Sequence, residues 1–166
     1  PDLAEAFSEM TPTIGTGVEF FRNAVRNEIK MGADFIKIMI NGGFSTPNDT
    51  PDDQQLCDEE IEVIIKTAHE LGRTVTAHIY NSEQMKKVAL MGIDGMEHGS
   101  LITEDTARVM EELGTYLVPT FCPYDDIIHL NEETLKKKTP QFQAKLRQYS
   151  TRLQEGRKVI INSKIK

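Results

Sequence analysis

Polar and apolar residues are arranged along the chain in a block that occurs four times. Each block is an amphipathic stretch that ends at a glycine (Gly32, Gly72, Gly92 or Gly114) and is followed by a short, mostly apolar run. Glycine just past a helix adopts the left-handed conformation without a clash at Cβ, so each of these glycines predicts a helix end and a loop into a strand. The pattern therefore predicts alternating helices and strands.

This alternation is typical of an α/β protein with a parallel sheet, covered by helices on both sides or closed into a barrel. Capping signals at Thr16/Glu19 and Asn81/Gln84 support two of the helix starts. The predicted strands are 34–40, 74–80, 93–98 and 115–121. The predicted helices are 17–31, 58–71, 82–91, 103–113 and 142–161.

The segments outside these repeats differ in character. Residues 1–16 are predicted to be a leading loop. Residues 122–141 form a polar insertion. It is either a functional loop, such as a lid or a substrate-binding loop, or an ordinary surface loop. The chain begins with Pro1 and stops soon after the apolar run 159–161. We expect it to be one segment of a longer protein, the alternative being a processed mature chain with a frayed tail.

Composition narrows the class of protein. The 166 residues include 39% hydrophobic and 27% charged positions, as in an ordinary globular domain. The net charge of −7 disfavours binding to nucleic acid or to an anionic membrane. Cys57 and Cys122 are far apart and form no CxxC motif, so we interpret them as reduced thiols of a cytoplasmic protein.

Three of the four predicted strands are interrupted by a polar residue. Lys37 lies five residues past its capping glycine, and His78 and His98 each lie six residues past theirs. On neighbouring parallel strands these side chains would reach a similar height, at the carboxyl edge where α/β sheets carry their chemistry. A single strand histidine is more often a core residue, but three such residues together indicate a site.

The remaining histidines do not fit this register. His69 falls in the last turn of a helix, where a cation suits the helix dipole, and His129 lies in the polar insertion. We expect both to lie outside the site.

Two neutral imidazoles on adjacent strands are suitable ligands for Zn²⁺ or a similar divalent ion. Burial lowers the pKa of a lysine, and a neutral amine can add CO₂ to form a carbamate, which is an anionic ligand able to bridge two ions. A two-metal centre activates a water and polarises a carbonyl. This chemistry would hydrolyse an amide or an ester-like bond.

The segments GADFIKIMINGG, TVTAHIYN and GMEHGSLITEDTARVM closely resemble the metal-dependent amidohydrolase superfamily. The nearest resemblance is to the branch of imidazolonepropionase-like enzymes, Xaa-Pro dipeptidases and arginine carboxypeptidase, and it covers residues 17–121. It implies a (β/α)₈ TIM-type barrel, of which this chain would supply strands four to seven. It also implies that Lys37, carboxylated by CO₂, bridges two divalent ions, expected to be Zn²⁺, and that His78 and His98 bind the second ion.

The same resemblance implies a small-molecule or dipeptide substrate whose C–N bond is cleaved by a metal-activated water. Tyr80 matches a substrate-contacting position. Asn41, Gly42 and Gly43 follow the lysine strand and could present backbone N–H groups to a substrate carboxylate or carbonyl.

The chain lacks two features of the family pattern. The strand-one His-x-His that binds the first metal and the strand-eight aspartate are absent from the sequence. We therefore expect the 166 residues alone to be inactive and to self-associate through open strand edges, and we expect a homo-oligomer.

One alternative has a different mechanism. ADFIK also resembles the Schiff-base strand of deoxyribose-phosphate aldolase, a class I aldolase in which a desolvated lysine attacks a carbonyl without metal. Lys37 alone fits both chemistries. His78 and His98 have no role in such an aldolase, and its Lys-x-x-Gly-Gly feature is missing, so the later strands favour the hydrolase.

Overall fold

The computed structural model describes residues 13–121 and 132–166. In chain order its elements are α1 (Val18–Lys30), β1 (Phe35–Met39), α2 (Asp58–Glu70), β2 (Thr74–Asn81), α3 (Ser82–Leu90), β3 (Gly95–Leu101), α4 (Glu104–Leu113), β4 (Tyr116–Val118), α5 (Glu132–Leu135) and α6 (Pro140–Asn162). The predicted alternation is confirmed, with a shorter fourth strand and a short helix in the insertion. His129 and Cys122 lie outside the described residues.

The four strands form one parallel sheet in the order β1-β2-β3-β4. Each strand is thus joined to its neighbour by a crossover helix, which is the βα repeat expected from the sequence. This arrangement matches part of a TIM-type barrel.

The two faces of the sheet have opposite characters. The face that packs against the helices is apolar and buried. Its core residues include Ile36, Ile38, Val75, Ala77, Ile79, Met96 and Leu117. The opposite face, called the inner face here, carries Lys37 and three exposed apolar side chains, Phe35, Met39 and Val118. Apolar side chains so exposed on one sheet face indicate a surface that other residues could cover.

The glycine caps are confirmed, because φ is positive at Gly32, Gly72, Gly92 and Gly114. The cap at Asn81 is also confirmed, since its side chain accepts hydrogen bonds from the backbone N–H groups of Glu83 and Gln84.

The predicted capping box at Thr16 and Glu19 is wrong. The first helix has Gly17 as its N-cap, with no side-chain cap. The Oε1 atom of Glu60, in the first turn of α2, instead accepts from the Gly17 N–H at 2.6 Å and from the Thr16 hydroxyl at 3.1 Å. A carboxylate from a distant part of the chain thus replaces the local one.

The long helix α6 crosses the sheet near the end of β3. A Cβ on Gly156 would lie 2.2 Å from the Ser100 carbonyl oxygen, so the helix approaches the strand backbone directly. After α6, the Lys166 carbonyl accepts from the Leu117 N–H at 2.9 Å. The outer edge of β4, expected to be unpaired, is therefore partly covered by the end of the chain. No helix in the described ranges is both long and apolar enough to cross a membrane.

Candidate active site

The register of the strands fixes the relative heights of the polar residues. Lys37 lies opposite Thr76, whereas His78 lies opposite Met39 on one side and Glu97 on the other. Lys37 is therefore two residues closer than His78 to the amino edge of the sheet, and the similar height expected from the sequence holds only for the two histidines. The long lysine side chain compensates for the difference, because its Nζ donates to Glu97 on β3 and must cross β2 to do so.

His98 reaches the inner face through an unusual backbone conformation. Residues alternate between faces along a strand, so Glu97 and His98 should point to opposite sides. However, His98 has φ of 70°, in the left-handed region, and the pairing of β2 with β3 shifts just beyond it. Its ring consequently lies 4.6 Å from that of His78, centroid to centroid, and stacks on Tyr80 at 5.0 Å.

A hydroxyl beyond the fourth strand orients His98. Its Nδ1 lies 2.7 Å from the Oγ1 of Thr120, which itself has a positive φ of 45°. With Nδ1 used in this way, a metal would be bound through Nε2. Such outer contacts fix the orientation of imidazole ligands, and no local sequence signal marked Thr120 for this role.

The environment of His78 also suits a ligand. Its Nε2 is buried and has no hydrogen-bond partner among the described residues. Burial lowers the pKa of His78, while a hydrogen bond with the Gly42 backbone acts in the opposite direction. Burial, followed by the nearby His78, lowers the pKa of His98 to about 4. Both imidazoles are thus neutral at physiological pH, the form that binds metal ions.

The described residues supply only part of a metal centre. Within 13–121 and 132–166, no three His, Cys, Asp or Glu side chains lie close enough together to hold an ion. The site consists of two imidazoles with Lys37 beside them. A buried imidazole nitrogen without a partner fits a metal ligand, and a carbamate on Lys37 would add the anionic oxygens that the site lacks.

Lys37 itself is not the buried, unpaired amine expected from its apolar strand. Its side chain is 42% exposed and forms an ion pair with Glu97, which is 21% exposed. The pairing follows from Glu97 lying on the inner face next to His78. Sequence reasoning missed Glu97, although its position directly before His98 and the parity of the strand could have revealed it.

The four predicted substrate-contacting residues lie beside this site. Tyr80 is buried, and its ring stands edge-on to His78 at 4.9 Å. The Oδ1 of Asn41 accepts from the backbone N–H groups of Tyr80 and Asn81, which braces the end of β2.

The backbone N–H of Gly42 donates to the Asp53 carbonyl and that of Gly43 to Asp49. Both amides are therefore engaged within the loop in this structure. Contact of any of the four residues with a substrate stays a prediction.

Comparison with known proteins identifies the family of this chain. The model of the amidohydrolase family matches residues 3–161. The chain belongs to the amidohydrolase family. Ochratoxinase from Aspergillus niger is 33% identical to this amidohydrolase over 126 residues, which are 76% of the chain and 26% of the relative. The class I aldolase considered as an alternative is not supported by this membership.

Solved structures agree with the family. A prolidase complexed with N-methylphosphonate-L-proline is 33% identical, with a TM-score of 0.77 over 91% of this chain and 36% of the prolidase. A Xaa-Pro dipeptidase with methionine bound in its active site is 27% identical, with a TM-score of 0.73 over 91% of this chain and 37% of that one. The present chain thus spans about a quarter to somewhat over a third of the length of the relatives it matches.

Proposed function

We propose that these residues are the central part of the catalytic barrel of a metal-dependent hydrolase that cleaves a C–N bond. The observation that carries the proposal is the convergence of Lys37, His78 and His98 on the inner face of a parallel sheet in a member of the amidohydrolase family. Active sites of such barrels are built toward the carboxyl ends of the strands, and His78 and His98 lie at the middle of β2 and β3 or just past it.

In this proposal each of the three residues has one role. Lys37, as a carbamate, would be a ligand of two divalent ions, expected to be Zn²⁺, and His78 and His98 would hold the second of them through their imidazoles. When bound, the ions supply Lewis acidity toward a carbonyl group and lower the pKa of a water. The resemblance to the family leads us to expect the ligands of the first ion and the general acid/base in other parts of the full-length protein.

The surrounding residues orient and shield the ligands. Thr120 fixes the ring of His98. Tyr80 covers both rings and excludes water from one side of the pair. Uncarboxylated Lys37 is held by Glu97, so carboxylation would require this ion pair to separate.

We infer that the substrate is a small dipeptide, an N-acyl amino acid or a cyclic amide. Support comes from the names of the similar proteins, which include a prolidase with a proline phosphonate bound, a Xaa-Pro dipeptidase and an ochratoxinase. A cytoplasmic location and a homo-oligomeric state remain part of the proposal.

The proposal is tested on the full-length protein, expressed with Zn²⁺ and bicarbonate. We expect elemental analysis to find two divalent ions per chain, and we expect one or more members of a panel of Xaa-Pro, Xaa-Arg and N-acyl amino acid substrates to be hydrolysed. His98→Ala should remove at least one ion and reduce kcat/KM by more than the roughly 10- to 100-fold that follows loss of a contact to a ligating histidine. His69→Ala is the matched control, because His69 pairs with Asp94 at the opposite edge of the sheet.

Two results would contradict the proposal. One is a protein that binds no metal and whose Lys37 is trapped by borohydride with a carbonyl substrate, which would establish the aldolase mechanism. The other is turnover of esters or nucleobases in preference to every amide, which would refute the substrate class.

A further inference from the structure

Helix α6 inserts one buried cation into the loop that follows β1. The Lys145 side chain is only 9% exposed, and its Nζ donates to the backbone carbonyls of Gly43, at 2.7 Å, and of Thr46. The same Nζ lies 3.3 Å from Oδ1 of Asp49. An ammonium group has three donors, and burying one costs several kcal/mol unless it is bonded. Here all three donors are satisfied by one loop.

Residues 40–57 connect β1 to α2 and are called the β1–α2 loop. This loop folds tightly around the groups that Lys145 contacts. Asp49 accepts from the Gly43 N–H at 3.2 Å and from the Thr46 hydroxyl. Gly42 has no room for a side chain, because a Cβ there would lie 2.6 Å from Cβ of Asp49 and 2.7 Å from the Thr50 carbonyl oxygen. Asp49, which Lys145 contacts, therefore packs against Gly42. Residues 42–50 of the loop form one tightly packed unit.

This unit contacts the candidate site through Phe44, which follows Gly43. The ring of Phe44 stands edge-on to Tyr80 at 5.1 Å and to Tyr149 of α6 at 5.6 Å. Tyr80 in turn stands edge-on to His78 at 4.9 Å and stacks on His98. Displacement of the loop would thus change the surroundings of both imidazoles.

We propose that Lys145 is a positioning residue of the site, which fixes the β1–α2 loop so that Phe44 holds the Tyr80 ring against the imidazoles of His78 and His98. Outer contacts that orient a ligating imidazole typically change metal affinity by about 10- to 100-fold. The inference rests on the proposed function only for the presence of a metal, since the contacts from the loop through Tyr80 to the imidazoles are found without one.

The test compares Lys145→Met with Lys158→Met in the full-length protein. Lys158 lies on the same helix but is exposed, so it is a matched control. In metal-free protein labelled with ¹³C-histidine, Lys145→Met should shift the imidazole resonances of His78 and leave those of His69 in place. Its affinity for Zn²⁺ should fall by about 10- to 100-fold. Lys158→Met should change neither.

Chemical rescue separates positioning from general destabilisation. In Lys145→Ala, added ethylammonium should occupy the vacated carbonyl site and return the His78 resonances toward their wild-type positions. Should either variant fail to fold, Lys145→Gln, which keeps one donor group, takes its place with a smaller shift in the same direction.

The positioning role of Lys145 and the proposed metal-dependent function can be refuted separately. A folded Lys145 variant with a lower melting temperature but unchanged His78 resonances would overturn the positioning role. A wild-type protein that binds no Zn²⁺ would contradict the proposed function, while the His78 resonances of the variants would still decide the role of Lys145.

Discussion

At the scale of single residues, the candidate site depends on two imidazoles that remain neutral. Burial is the main cause, and for His98 the nearby His78 adds to it. The positive φ of His98 is part of the same arrangement, because it turns the ring onto the inner face, against His78 and Tyr80. A strained backbone conformation at one residue thus creates the pair.

The lowered pKa of His98 predicts how stability depends on pH in the metal-free protein. Its folded pKa is about 4, below the ordinary value of 6.5, so the unfolded chain takes up this proton more readily. Stability should therefore fall as the pH is lowered from about 6.5 toward 4. NMR titration should find His98 neutral at pH 5.5, and urea denaturation should show less pH dependence in His98→Gln than in the wild type. Titration of His98 near pH 6.5 would contradict this.

At the scale of elements, α6 organises the part of the fold around the site. Three of its side chains bond the β1–α2 loop, since Tyr149 and Arg152 both donate to Asp52 in addition to the contacts of Lys145. Partial burial acts to raise the pKa of Asp52, but hydrogen bonds from Arg152 and other donors outweigh it, and the pKa lies below its ordinary value. The loop is therefore held by charged contacts from one helix.

The close approach of α6 to β3 predicts an unusual response to a helix-favouring substitution. Gly156→Ala should gain up to about 1 kcal/mol from helix propensity. However, the new Cβ would lie 2.2 Å from the Ser100 carbonyl oxygen, a backbone atom that cannot rotate away. Overpacking of this kind costs about 1–3 kcal/mol, so we expect a net loss of stability in chemical denaturation.

The control for this prediction is Glu155→Ala, which changes an exposed neighbour on the same helix. Its effect should stay within about 0.5 kcal/mol. A Gly156→Ala variant more stable than the wild type would show that α6 can move away from β3.

At the scale of the whole molecule, the sheet has one covered face and one open face. Phe35 and Met39 are 53% and 51% exposed on the inner face, and β1 is an edge strand with no neighbour beyond it among the described residues. Exposed strand edges and apolar faces recruit other chains. Within residues 13–121 and 132–166, the β4 edge is partly protected by the Lys166 carbonyl, whereas the β1 edge has no such cover.

We predict that the 166-residue chain produced by itself self-associates and has no hydrolytic activity. Size-exclusion chromatography with light scattering should find species larger than 18.8 kDa. Phe35→Gln combined with Met39→Gln should reduce the association, whereas Leu90→Gln, at a residue 66% exposed on α3, should not. An active, metal-loaded monomer would contradict both parts of the prediction.

The sequence by itself determined the order and type of the elements and the identity of the three central side chains. Glycine caps and apolar runs act within a few residues of each other, so they are readable without the fold. The motifs around Lys37, His78 and His98 likewise indicated the amidohydrolase family, which the comparison confirmed.

Only the tertiary structure decided how these side chains meet. The turn of His98 onto the inner face, the ion pair of Lys37 with Glu97 and the insertion of Lys145 into the β1–α2 loop join positions that are remote in the sequence or break its local rule. The same holds for Glu60, which displaced the predicted cap at Thr16. The physical reason is that a buried charge or donor forms a hydrogen bond or ion pair with the partner that packing brings close to it. The local periodicity of the sequence does not identify that partner.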